Sequence, residues 1–110
     1  MIKVKLTRET DKTLSLTKRS QLANSWGANY FISIHTNAGG GKGAETFHSR
    51  NGEKGTIYHA EAKRVAELVQ SELVKATGLT NRGIKTRLVT DKNSSLYGLD
   101  YYSVIRQTHC

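Results

Sequence analysis

The sequence predicts an α/β fold: a mixed, mainly parallel sheet with helices on both faces. Three observations carry this. Short β-rich runs alternate with segments of helical periodicity along all 110 residues. The run Tyr30-Phe31-Ile32-Ser33-Ile34 is nearly unbroken in apolarity, the pattern of a central strand covered on both faces. A long helical stripe lies beyond it, in which Tyr58, Ala62, Val65, Ala66, Val69, Leu73 and Ala76 share one face.

In chain order, Ile2, Val4 and Leu6 alternate with Lys3 and Lys5, which predicts a strand with one solvated face. Thr7 to Thr13 is polar and turn-like. Ser15 is placed to cap a helix in which Leu16, Arg19, Leu22, Ala23 and Trp26 share a face, and Gly27 sits where a helix-ending glycine belongs. The strand Tyr30–Ile34 runs into His35-Thr36-Asn37-Ala38 and then Gly39-Gly40-Gly41. Gly43 to Ser49 reads as a further strand with Ala44, Thr46 and His48 on one face. Arg50 to Gly55 reads as loop and Thr56 to Thr77 as the long helix, ended by Gly78. Ile84 to Val89 is a short strand or an extended loop, Asp91 to Gly98 a polar loop, and Tyr101 to Ile105 a last strand.

A chain of this length makes one domain and buries enough surface for a core. Seventeen basic against nine acidic residues give a net charge of +8, which favours anionic partners: nucleic acid, anionic lipid or cell-wall polymers. A basic nucleic-acid-binding module would explain that charge, but no helix carries a dense basic stripe with interleaved aromatics, so no nucleic-acid partner is expected. No apolar run approaches the roughly 18 residues of a membrane span. Met1 leads straight into an alternating strand, so no secretory signal peptide is read. Cys110 is the single cysteine and the last residue, which excludes an internal disulfide and a cysteine-based zinc cluster.

The leading candidate for chemistry is His35. It follows the most buried-looking strand and precedes a glycine-rich turn, and ligands of open α/β sheets bind outside the carboxyl ends of the strands. The alternative is that His35 only hydrogen-bonds within its turn. Asn37 adds a polar group two residues on. His48, His59 and His109 lack paired-ligand spacing and read as solvated surface histidines. Glu45 reads as half of a structural ion pair. Arg82-Gly83 either recognises substrate carboxylates or simply forms a turn. Trp26, Tyr101 and Tyr102 read as core.

Phe31-Ile32-Ser33-Ile34-His35-Thr36-Asn37-Ala38 resembles the zinc-ligand strand of the zinc-dependent N-acetylmuramoyl-L-alanine amidases. Val4-Lys5-Leu6-Thr7-Arg8 with Asp11 is similar to the preceding strand and turn of that family. Ser15-Leu16, Arg19, Ala23-Asn24 and Gly27-Ala28 are similar to its next helix. Gly43-Ala44-Glu45-Thr46-Phe47, Asn81-Arg82-Gly83-Ile84-Lys85 and Tyr101-Tyr102-Ser103-Val104-Ile105-Arg106-Gln107-Thr108 follow in family order. The resemblance implies that residues 1–110 form a partial amidase catalytic domain, lacking the first strand-helix unit and the last strand. It implies a peptidoglycan hydrolase acting at the cell wall or outside the cell, of the kind used as autolysins, sporulation amidases and phage endolysins. In such enzymes zinc polarises the scissile carbonyl and activates water while a Glu moves the protons. The ligand set is two His and one Glu. Only His35 carries over; the other ligands and the catalytic Glu belong to segments without a counterpart here. The resemblance thus gives zinc as cofactor, His35 as its one retained ligand, no catalytic residue in this chain, and Asn37, Arg82 and Gly83 as substrate-binding candidates. It leaves open a catalytically inactive, basic wall-binding remnant.

Overall fold

The computed structural model describes residues 1–50 and 58–110. The first regular element is helix α1, Leu16–Ser25. It starts where Ser15 adopts extended backbone and its Oγ accepts a hydrogen bond from the Lys18 N–H at 3.1 Å, which satisfies one donor of the first turn. Replacing Ser15 by Ala should destabilise the fold by about 1 kcal/mol, read as a lower denaturant midpoint with unchanged slope. The helix ends as the sequence predicts, at Trp26 and Gly27.

Strand β1, Ala44–Phe47, and strand β2, Asn81–Lys85, form a parallel pair, with Ala44 opposite Asn81 and Phe47 opposite Lys85. Between them runs α2, His59–Thr77, closed by Gly78 in the left-handed conformation at φ 66°. A strand, a crossover helix and a parallel strand make one βαβ unit, the arrangement that a parallel pair requires. Thr56 and Ile57, where the sequence would start α2, lie outside the described residues, as does most of the Arg50 to Gly55 loop.

Alternation along β1 sends side chains to opposite faces. Thr46 meets α2 through Gln70 on one face, and Phe47 packs edge-on against Tyr102 on the other, ring centroids 4.9 Å apart. Tyr102 precedes α3, Ser103–Gln107, which packs against α1. Asn24 stitches that pair: its amide donates to the Gln107 carbonyl at 2.8 Å and its carbonyl oxygen accepts from the His109 N–H at 2.8 Å. Among the described residues α2 is the helix that packs directly on the small parallel sheet, α1 and α3 pack on each other beyond Tyr102, and the α/β class stands.

Four elements differ from the sequence reading. Ile2–Leu6 and Tyr30–Ile34 are not strands: Ile2, Val4, Leu6, Tyr30, Ile32 and Ile34 are all exposed, and neither segment has a backbone partner among the described residues. Their patterns mark faces suited to burial, but a strand is completed only by a neighbour's hydrogen-bonding edge. Tyr101–Ile105 is not a strand but the entry to α3, because the Ile105 and Arg106 N–H groups turn back to the Tyr102 carbonyl. Of the two readings of Ile84–Val89, a strand holds only for Ile84 and Lys85 at the end of β2, Asn81–Lys85; beyond it Leu88 makes an isolated antiparallel bridge with Asp100. The Asp91 to Gly98 stretch is a run of turns, as expected.

Candidate functional site

His35 lies in exposed chain outside the regular elements, eight residues before Gly43, the last residue ahead of β1. Its Nδ1 is 3.1 Å from the carbonyl oxygen of Thr36. A carbonyl only accepts, so Nδ1 is the donor of this contact, and in the neutral ring Nε2 is then the nitrogen with the lone pair. That is the tautomer of a metal-ligating imidazole whose other nitrogen is held by a carbonyl. It is equally the turn hydrogen bond that the sequence leaves as the alternative. Asn37 is exposed two residues on.

The Arg82–Gly83 turn is brought to the glycine segment after His35. The Arg82 side chain lies across that segment so closely that a Cβ on Gly41 would collide with its guanidinium. A Cβ on Gly43 would collide with the Thr80 carbonyl and press on the Arg82 stem. Gly43 also sits at φ 120°, where L side chains rarely go. The close approach lets the Ala44 N–H donate to the Thr80 carbonyl at 2.9 Å, the contact that starts the β1–β2 ladder.

Glu45, mostly buried, takes the ion-pair role. Its Oε2 accepts from Lys85 Nζ at 2.6 Å and lies 3.7 Å from Arg82 Nε. The Lys85 hydrogen bond, with both cations, holds its carboxyl below the ordinary carboxylate range.

Two histidines depart from the sequence reading. His48 is buried and His59 partly so. Both donate from Nδ1 to one acceptor, the Ser49 carbonyl, at 2.9 Å and 2.7 Å, with ring centroids 5.5 Å apart. Position 48 follows directly on β1, and His59 at the start of α2 lies beside it. Spacing in sequence carries no sign of this meeting; the inward alternation of Ala44, Thr46 and His48 is the one available signal. The third member is buried Asp100, whose Oδ1 accepts from the Arg50 N–H at 3.0 Å. Arg106 holds the same loop through the Asp100 carbonyl at 2.8 Å.

Burial pushes the His48 imidazole below its ordinary value, aided by His59 and Lys63 and opposed by the Ser49 hydrogen bond and Asp100. The folded state therefore holds His48 neutral where the unfolded chain would be protonated. Its stabilising contribution is present above the unfolded value of about 6.5 and lost as pH falls through the lowered folded one. Burial raises Asp100, which acts with the opposite sign. The His48 contribution should make stability fall as pH drops below about 6.5, and His48→Asn should flatten that slope in denaturant titrations.

Trp26 is half-buried under Lys5, whose Nζ is 5.2 Å from the ring centroid. Tyr101, read from sequence as core, stays exposed beneath the Arg87 guanidinium at 3.8 Å, while Tyr102 packs inward on Phe47. His109 is exposed, as expected.

The N-acetylmuramoyl-L-alanine amidase family model matches residues 1–110. The chain belongs to that family. This amidase-family chain is 42% identical over 86 residues to the N-acetylmuramoyl-L-alanine amidase CwlM of Bacillus licheniformis, covering 77% of this chain and 31% of that protein. It is 38% identical over 82 residues to the sporulation-specific N-acetylmuramoyl-L-alanine amidase of Bacillus subtilis (strain 168), covering 74% and 29%. It is 33% identical over 85 residues to the endolysin of Bacillus phage SPP1, covering 76% and 31%. Among solved structures it resembles Cwp6 from Clostridium difficile, at TM-score 0.73 and 31% identity over 93% of this chain and 15% of that one. The aligned part spans about a third of the curated relatives' length. No helix among the described residues is long and apolar enough to cross a membrane.

The family's zinc can be set against these residues. A catalytic zinc takes about three protein ligands and keeps one position open. Among the described residues no group of three His, Cys, Asp or Glu side chains could hold a metal ion. Glu45 is engaged by Lys85, and His48 and His59 are turned onto Ser49. The described residues therefore do not make a complete zinc site.

Proposed function

We propose that this chain is part of a peptidoglycan-hydrolysing domain that cleaves the amide between N-acetylmuramic acid and L-alanine, working at the cell wall or outside the cell. The observation that carries this is the family match across residues 1–110. In this reading His35 supplies one zinc ligand through Nε2, Asn37 and Gly83 are the candidate substrate contacts, and Arg82 reaches the glycine segment that follows His35. The net charge of +8 adds attraction to anionic wall polymers, screened beyond a Debye length of about 8 Å at physiological salt.

One specific observation favours a second reading, a catalytically inactive wall-binding chain: the incomplete donor set among the described residues. Calorimetric titration with zinc tests the ligand assignment. The metal-free chain should bind zinc weakly, far from the ten or more kcal/mol of a fully ligated structural site. His35→Ala should remove what binding there is. Tight one-to-one binding that survives His35→Ala would show a different set of ligands.

A further inference from the structure

We propose that Arg82 is a positioning residue that clamps the glycine segment joining His35 to β1, acting on the path of that segment instead of holding a substrate group. The inference rests on the reading of His35 as a zinc ligand and adds what sets its place.

Three contacts lead to it. The guanidinium lies where a Cβ of Gly41 would be, so it covers the backbone of the turn with no side chain between them. The aliphatic stem runs against Gly43, 3.0 Å and 3.1 Å from where a Cβ would stand. Arg82 Nε lies 3.7 Å from the Glu45 carboxylate, itself mostly buried and fixed by Lys85 at 2.6 Å. One side chain thus spans from β1 across Gly43 to Gly41, while β2 holds its backbone in register with β1. The part it covers begins at Gly41, six residues after His35. A planar, always-charged fork on a long stem suits this bridging; a lysine keeps the charge and loses the plane.

The clamp also explains why glycines stand at positions 41 and 43. At Gly43 a side chain would meet backbone, which cannot yield. At Gly41 it would meet only the end of the arginine, which can. Gly41→Ala therefore displaces Arg82 without blocking the sheet, and the two positions must act on each other.

The test is an NMR double-mutant cycle on the 110-residue chain: wild type, Arg82→Ala, Gly41→Ala and the double variant, with Arg82→Lys as the conservative case. Arg82→Ala should shift the amide resonances of residues 39–43 and the His35 ring protons. It should also speed exchange of the Ala44 amide by roughly tenfold, as expected for local opening. Amides of Thr46 and Phe47 should keep their protection, which separates a clamp from a general loss of structure. Arg82→Lys should give a smaller shift of the same resonances. Gly41→Ala should perturb the same signals in the wild type and leave them unchanged when Arg82 is already Ala, the signature of coupled sites. Equal effects of Gly41→Ala in both backgrounds would overturn the clamp. So would an Arg82→Ala spectrum unchanged at residues 35–43, especially if wall binding fell, since that would make Arg82 a substrate contact. None of the NMR signals depends on zinc or peptidoglycan. Coupling present in a chain whose His35 proves not to bind zinc would sink the ligand reading alone.

Discussion

Purified cell walls incubated with the 110-residue chain should release no measurable L-alanine amino groups. The described residues hold one candidate zinc ligand and no set of three. Glu45, the carboxylate nearest β1's start, is tied to Lys85 at 2.6 Å and kept ionised below its usual range. A carboxylate so held is a poor proton carrier near neutral pH, and missing general acid–base catalysis alone removes roughly 10²–10⁴-fold of rate. The complementary experiment is a chimera in which these residues replace the matched segment of the Bacillus licheniformis amidase CwlM. That chimera should hydrolyse walls, and His35→Ala within it should lower the rate by at least about a hundredfold, since even supporting residues of metal ligands cost 10–100-fold. Robust, chelator-sensitive hydrolysis by the 110 residues alone would overturn the ligand count. A chimera indifferent to His35→Ala would overturn the assignment of His35.

Gln70→Leu should be the most destabilising single substitution in the βαβ unit, by about 2–4 kcal/mol. Gln70 is 3% exposed in the middle of α2. Its Oε1 accepts from Thr46 Oγ1 at 2.8 Å, and its Nε2 donates to the Ala44 carbonyl at 2.7 Å and to Asn81 Oδ1 at 2.8 Å. One amide thus ties the helix to both strands. Leucine is close in size, so packing changes little; the cost comes from the Thr46 hydroxyl and the Ala44 carbonyl left without this partner in the interior. Asn81 Oδ1 still accepts from the Gly83 N–H at 2.9 Å and loses less. In a domain of this size the melting temperature should drop on the order of 10 °C. A drop of only a degree or two would mean that water replaces the amide.

Gln70 also shows where a sequence reading ends. The hydropathy stripe on α2 gives the helix and its inward side, through Ala62, Val65, Ala66 and Val69, but it selects Leu73 next, and Leu73 is at the edge of exposure. The buried position is Gln70, polar and therefore silent in any apolar count. The same holds for His48 and Asp100, which are buried through partners far away in sequence. Tyr101–Ile105 has the composition of a strand, yet past the Tyr101 N–H, which donates to the Arg87 carbonyl at 2.8 Å, its backbone turns into α3.

By itself the sequence determined the α/β class, the Ser15 cap of α1, the end of α2 at Gly78, the pairing role of Glu45 and, through ordered local motifs, the family. Each of these is written in residues close together in the chain, where capping, periodicity and turn chemistry act. Only the tertiary structure decided which extended segments pair, since a ladder needs two edges. It also placed His48 and His59 on one carbonyl, and laid Arg82 over Gly41 and Gly43. Those arrangements depend on which distant groups meet, and desolvation makes each buried polar group take whatever partner the fold brings to it.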